Sequence, residues 1–136
     1  MTASETMKDV RRAAGIALWV SDLERAAAFY RDVIGVPLTF SDPHEPENVP
    51  HYEVMWGDWA EHGPVEPYLW LNIYPSSGRQ TSGAHLTFPV PSLDTVHEKA
   101  TGTGATIVTP PVPNPFGGRR AVYEDPDGNL VEVAEP

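Results

Sequence analysis

The chain has 136 residues, with 19 acidic against 9 basic side chains for a net charge of −10, and no cysteine. That length holds one domain, the negative field repels phosphate backbones and anionic lipid heads, and the missing thiols remove disulfides, zinc-thiolate sites and cysteine nucleophiles. Nucleic acid and membranes are therefore not expected partners, and no apolar run approaches the ~18 residues that a membrane-spanning helix requires.

Ile16-Ala17-Leu18-Trp19-Val20 is an apolar run of strand length. Lys8, Arg11 and Arg12 precede it as they would in a leader, but Ser21-Asp22-Leu23-Glu24-Arg25 stands where a small-residue cleavage site would have to be. The expectation is a cytoplasmic protein with a mobile arm over 1–12 and one domain over 13–136. Ser21 and Glu24 have the spacing of a capping box, which predicts a helix with Ser21 as its N-cap. Leu23, Ala26, Ala27, Tyr30, Val33 and Ile34 recur every three or four residues on one stripe, and Gly35 followed by Pro37 stops the helix. Strands are predicted over 38–41, 52–57 and 68–74. In the last of these, Leu69, Leu71 and Ile73 alternate with Tyr68, Trp70, Asn72 and Tyr74, giving one aliphatic face and one aromatic and polar face.

From Gly83 the order begins again. His85–Val90 reads as a strand, Ser92-Leu93-Asp94 opens a helix that Gly102 and Gly104 end, and strands follow over 106–109, 120–124 and 129–134, the last two joined by the turn Asp125-Pro126-Asp127-Gly128. A shift of 70 residues pairs Ile16 with Leu86, Leu18 with Phe88, Val20 with Val90 and Leu23 with Leu93. Two βαβββ modules, about 13–76 and 83–136, are the simplest account of that repetition.

The stretch Val20-Ser21-Asp22-Leu23-Glu24-Arg25-Ala26-Ala27-Ala28-Phe29-Tyr30-Arg31-Asp32-Val33-Ile34-Gly35 resembles the first-module helix of the vicinal oxygen chelate superfamily, and Tyr123-Glu124-Asp125-Pro126-Asp127-Gly128-Asn129-Leu130-Val131-Glu132-Val133 resembles its terminal hairpin. That superfamily includes glyoxalases, extradiol dioxygenases and bleomycin resistance proteins. The resemblance implies an α+β fold in which two βαβββ modules form an eight-stranded cupped sheet, a homodimer, and a divalent metal (Zn, Mn, Fe or Ni) bound inside the cup. The positions matching the family's second-module ligands are His85 and Glu132, with Glu132 also the candidate catalytic carboxylate. In the first module the pattern fails, because the position matching His85 is Gly15. The site is then incomplete, with the metal weakly bound or absent, and an imidazole introduced at position 15 would be expected to supply the missing ligand.

Trp19 shares strand parity with Gly15, and Trp19, Tyr68, Trp70, Asn72, Tyr74 and Arg119 are the candidate ligand-binding residues, with room expected where Gly15 faces Trp70. His51, Glu53 and His62 rank behind them, and His44, Glu45 and Glu47 read as solvated loop. Two functions fit these residues. One is a small-molecule-binding protein that sequesters, or acts without a tight metal on, an aromatic or cationic ligand attracted by the net charge. The alternative is a metal-dependent glyoxalase-like lyase or isomerase, or a dioxygenase, using His85 and Glu132.

Overall fold

The computed structural model describes residues 13–43, 49–57 and 69–136. The arm over 1–12 and the candidates Tyr68, His62, His44, Glu45 and Glu47 lie outside them. Eight strands divide into two four-stranded sheets, β1(Gly15–Val20), β4(Leu69–Pro75), β3(His51–Trp56) and β2(Thr39–Ser41) in that order, then β5(His85–Pro89), β8(Leu130–Glu135), β7(Arg119–Glu124) and β6(Thr106–Pro113). In each sheet the first strand runs parallel to the last, and the other pairings are antiparallel. The 70-residue repetition is therefore structural: β1 and β5 begin at Gly15 and His85, and the helices α1 and α2 begin at Leu23 and Leu93.

Alternation decides which face each sheet buries. Leu18, Val20, Leu71, Ile73, Tyr52 and Val54 of the first sheet, and Leu86, Ala121, Tyr123, Val131 and Val133 of the second, join the apolar stripes of the helices in a single core. Helix α1 is α-helical over Leu23–Ala28 and then widens to a π-helix over Phe29–Ile34. The wider turn lets adjacent pairs, Phe29 with Tyr30 and Val33 with Ile34, all reach the core. Gly35 ends it at φ 95°, a value that favours glycine. The N-cap is Asp22 and not Ser21: the Asp22 carboxylate accepts from Arg25 N–H at 3.1 Å, while Ser21 N–H donates to Asp127 Oδ2 at 3.0 Å. Tertiary contact with the second module thus takes the residue that the capping pattern assigned to the helix. In α2(Leu93–Thr103) Ser92 caps as expected, accepting from Thr95 N–H.

The two modules are locked by one buried carboxylate. Asp125, 4% exposed, accepts from Tyr30 Oη–H at 2.7 Å, from the backbone N–H groups of Asp127 and Asn129 at 2.9 Å, and from Asn129 Nδ2 at 2.9 Å. Asn129 in turn accepts from Ala84 N–H and donates to Thr81 O, so the same turn holds the segment that leads into β5. A buried charge is tolerable only when its oxygens are filled in this way.

Burial, and after it the charge of Asp125, pushes the Tyr30 phenol far above its ordinary value of 10.0. The folded chain keeps a proton that the unfolded chain releases above pH 10, so this contribution to stability is complete below pH 10 and declines as pH rises further. In urea unfolding, Tyr30→Phe is expected to cost about 1.5–3 kcal/mol at neutral pH, the usual worth of a hydrogen bond to a charged group. The variant should also show a shallower alkaline decline than the wild type, and equal slopes would remove Tyr30 as the cause.

Candidate functional site

The face of the first sheet that points away from the helices carries three rows of side chains fixed by strand register. The first row is Gly15, Trp70 and Met55, the second is Ala17, Asn72, Glu53 and Thr39, and the third is Trp19, Tyr74, His51 and Ser41. Trp19, Trp70, Asn72 and Tyr74, all singled out from the sequence, therefore share one face, and the register adds His51 and Glu53 to it.

The third row is a ladder of rings. Trp19 and Tyr74 stack with centroids 5.8 Å apart, Tyr74 and His51 lie 4.8 Å apart, and the Arg79 guanidinium carbon stands 4.8 Å from the centroid of the Trp19 ring. His51, 3% exposed, is held at both nitrogens: Nδ1 is 2.8 Å from Val49 O and Nε2 is 3.1 Å from Glu53 Oε2. Both partners are acceptors, so the ring gives an N–H to each only when it carries two protons. The middle row is short and polar, and with Trp70 and Met55 its Glu53, Asn72 and Thr39 line a cavity of about 390 Å³. That volume lies in the range of small-molecule sites.

Gly15 and Trp70 are direct cross-strand partners. A Cβ added at Gly15 would fall 2.7 Å from the Nε1 of Trp70 and closer still to its Cε2 and Cζ2. The indole fills the space that a side chain at position 15 would need. This corrects the expectation of open room at that point, and an imidazole placed there would have to displace the ring before meeting any ion.

The second sheet places its candidates differently. His85 and Glu132 share a face as diagonal neighbours, since His85 pairs with Leu130 and Thr87 with Glu132. His85 is exposed and borders a 410 Å³ cavity between the modules with Ile16, Leu71 and Phe88, apart from the Trp70 cavity. Glu132 is paired with Arg120 at 3.3 Å, so the carboxylate that alternation turned away from the core has a counter-ion. Arg119, expected at the ligand site, lies on the opposite face from Arg120 and ties β7 to the start of α2 through Glu135 and Asp94, each at 3.1 Å. Among the described residues no group of three His, Asp or Glu side chains is placed to hold a metal ion. With position 15 filled by an indole and Glu132 engaged by a guanidinium, these residues do not fit the three-ligand site that the family pattern implies.

If the indole depends on the missing side chain, Gly15→Ala should shift the Trp70 indole N–H resonance and lower stability by about 1–3 kcal/mol, the usual cost of overpacking. Adding Trp70→Ala to that variant should then cost less than the sum of the two single changes. An unshifted resonance and additive losses would mean that the two positions are independent.

The matching region of the model for the Glyoxalase/Bleomycin resistance protein/Dioxygenase superfamily spans residues 12–133. No curated protein sequence shows a significant match. Among solved structures, a superfamily member from Sphaerobacter thermophilus is similar at a TM-score of 0.67 and 24% identity, covering 93% of this chain and 98% of its own. A glyoxalase-related enzyme from Fulvimarina pelagi is similar at 0.64 and 21%, covering 93% and 89%. The antibiotic binding protein TnmS3 from a Streptomyces species is similar at 0.61 and 21%, covering 93% and 97%. At these identities the structural likeness speaks for the fold, and the sequence match over residues 12–133 places the chain in the glyoxalase/bleomycin resistance protein/dioxygenase superfamily.

Proposed function

We propose that this protein binds a small planar, aromatic or cationic molecule on the open face of its first sheet, without a tightly held metal. The observation that carries the reading is the Gly15–Trp70 pair: an indole occupies the position from which the family pattern would supply a first-module ligand. Beside it, Asn72 has no hydrogen-bond partner for its side-chain amide among the described residues, and Glu53 is half-exposed, so the cavity offers a donor, an acceptor and a negative charge. An apolar wall with a few polar groups is the composition that such sites use. The antibiotic-binding neighbour TnmS3 is consistent with a binding role on this fold.

A homodimer and a cytoplasmic location belong to the same proposal. The outer edge of β1, Gly-Ile-Ala-Leu-Trp-Val, is paired with no strand among the described residues and carries neither proline nor charge, whereas the edges β5 and β6 contain Pro89, Pro110, Pro111 and Pro113. Such an unprotected edge favours pairing with a second copy.

The test is a titration with proflavine, a planar aromatic cation, followed by tryptophan fluorescence, alongside calorimetry with Mn, Zn and Ni. Wild type should bind the dye, Trp70→Ala should bind it about three- to tenfold more weakly, as loss of one aromatic contact implies, and the metals should give no stoichiometric binding. Stoichiometric metal lost in Glu132→Ala would instead overturn the metal-free reading in favour of the metal-dependent alternative.

A further inference from the structure

Among the described residues Arg79 is the basic side chain that stands over the ring ladder, and no acceptor takes its side-chain donors. It ends the turn Ser76-Ser77-Gly78-Arg79 that leaves β4, closed by Arg79 N–H donating to Ser76 O at 2.8 Å. Ser77 and Gly78 adopt φ values of 49° and 82°, so the backbone folds sharply enough for the side chain to return over β1 and place its guanidinium carbon above Trp19. Among the described residues no acceptor takes any of its side-chain N–H groups. In contrast, Arg31, Arg119 and Arg120 each meet a carboxylate of this chain within 2.9–3.3 Å. Among the described residues Arg25 has neither an acidic partner nor a ring beneath it.

In a chain with 19 acids to 9 bases, an arginine that is oriented by a ring and left without an acid is a prepared receptor for an external anion. A guanidinium pre-set by stacking loses less freedom on forming a bidentate pair than a free side chain does. The position matters as much as the charge. Trp19 on β1 begins the ladder, His51 and its partner Glu53 on β3 end it, and β1 to β3 is two strand spacings, about 10 Å. The face therefore has a cationic fork at one side and a carboxylate at the other, with the short residues Ala17 and Asn72 in the row beside the rings.

We propose that Arg79 is a carboxylate-binding fork and that the ligand is a planar molecule with a carboxylate at the Arg79 end and a hydrogen-bond donor or cationic nitrogen at the Glu53 end. The inference rests on the reading of this face as the ligand site and narrows its substrate class. A monoanionic carboxylate suits the fork better than a dianionic phosphate, because the surrounding net charge of −10 opposes the second charge.

The probes are 4-guanidinobenzoate, which carries both ends on one ring, and phenylguanidine, which lacks the carboxylate. Calorimetry on wild type should give about tenfold tighter binding of 4-guanidinobenzoate, in keeping with a charge-assisted bidentate pair. Arg79→Gln should erase that preference without weakening phenylguanidine, from which it removes a like charge, and Arg79→Lys should restore part of it. Arg79 is exposed, so the variants are expected to fold, and near-ultraviolet circular dichroism of the tryptophans checks this. A preference that survives Arg79→Gln, or tighter binding of phenylguanidine by wild type, overturns the proposal alone, provided Trp70→Ala weakens both probes. If neither probe binds wild type, or Trp70→Ala changes neither, this face is not the ligand site and both readings fall.

Discussion

The hydrogen bond from Tyr30 to the buried Asp125 carboxylate is the joint on which the two modules meet. Apolar contact between the two sheets resists separation but by itself sets no angle or register between layers, and the other polar link between the modules named above, Ser21 N–H to Asp127, is exposed. A carboxylate with four donors around it does set them: three come from its own turn, the backbone N–H groups of Asp127 and Asn129 and the Asn129 amide, which itself fixes Thr81 and Ala84, and the fourth comes from Tyr30 at the π-helical end of α1. The segment from 76 to 84 is thereby pinned at its far end, and its near end is the turn that carries Arg79 over Trp19. The polar anchor of the fold and the rim of the candidate site are two ends of one connection.

Much of this architecture was legible as periodicity. The offset of 70 residues marks both modules, and the alternation in β4 separates Leu71 and Ile73 from Trp70, Asn72 and Tyr74. What stayed hidden depended on contacts between segments remote in sequence. The capping pattern points to Ser21 by local rules, whereas in the structure Asp22 caps the helix and the Ser21 N–H is bound by Asp127, 106 residues away. The π-helix was equally invisible, since apolar residues at adjacent positions fit an α-helical stripe about as well.

Arg119 and Arg120 illustrate a second limit. In β7 both parities carry apolar side chains, Ala121 and Tyr123 on one and Val122 on the other, so the strand alone does not reveal which arginine faces outward. The partner strand resolves it: Val131 and Val133 are fully buried and pair with Tyr123 and Ala121, which leaves Arg120 on the face of Glu132. The sequence did contain that signal, but only for a reader who had already fixed the register of the hairpin. His51 and Glu53 meet the same limit, because nothing local places them beside Tyr74.

Gly15 carries the wider argument. Taken in sequence alone, a glycine at the position of an expected ligand is a loss, and the natural completion is to put a side chain back. In three dimensions the glycine and Trp70 are one unit, in which the absent Cβ is the condition for the indole to lie across β1. The two versions of the position differ in the kind of specificity they provide. An ion held by fixed donors demands particular atoms at particular distances from its substrate, whereas a ring recognises planar surface with wide tolerance and leaves discrimination to charges placed around it. On the second sheet the charges of Glu132 and Glu135 are already engaged by Arg120 and Arg119. On the proposed reading the groups left to discriminate on the face of the first sheet are Glu53, Asn72 and Arg79, and a single cross-strand pair would then move the same fold from metal-directed chemistry to recognition of a planar molecule by its two ends.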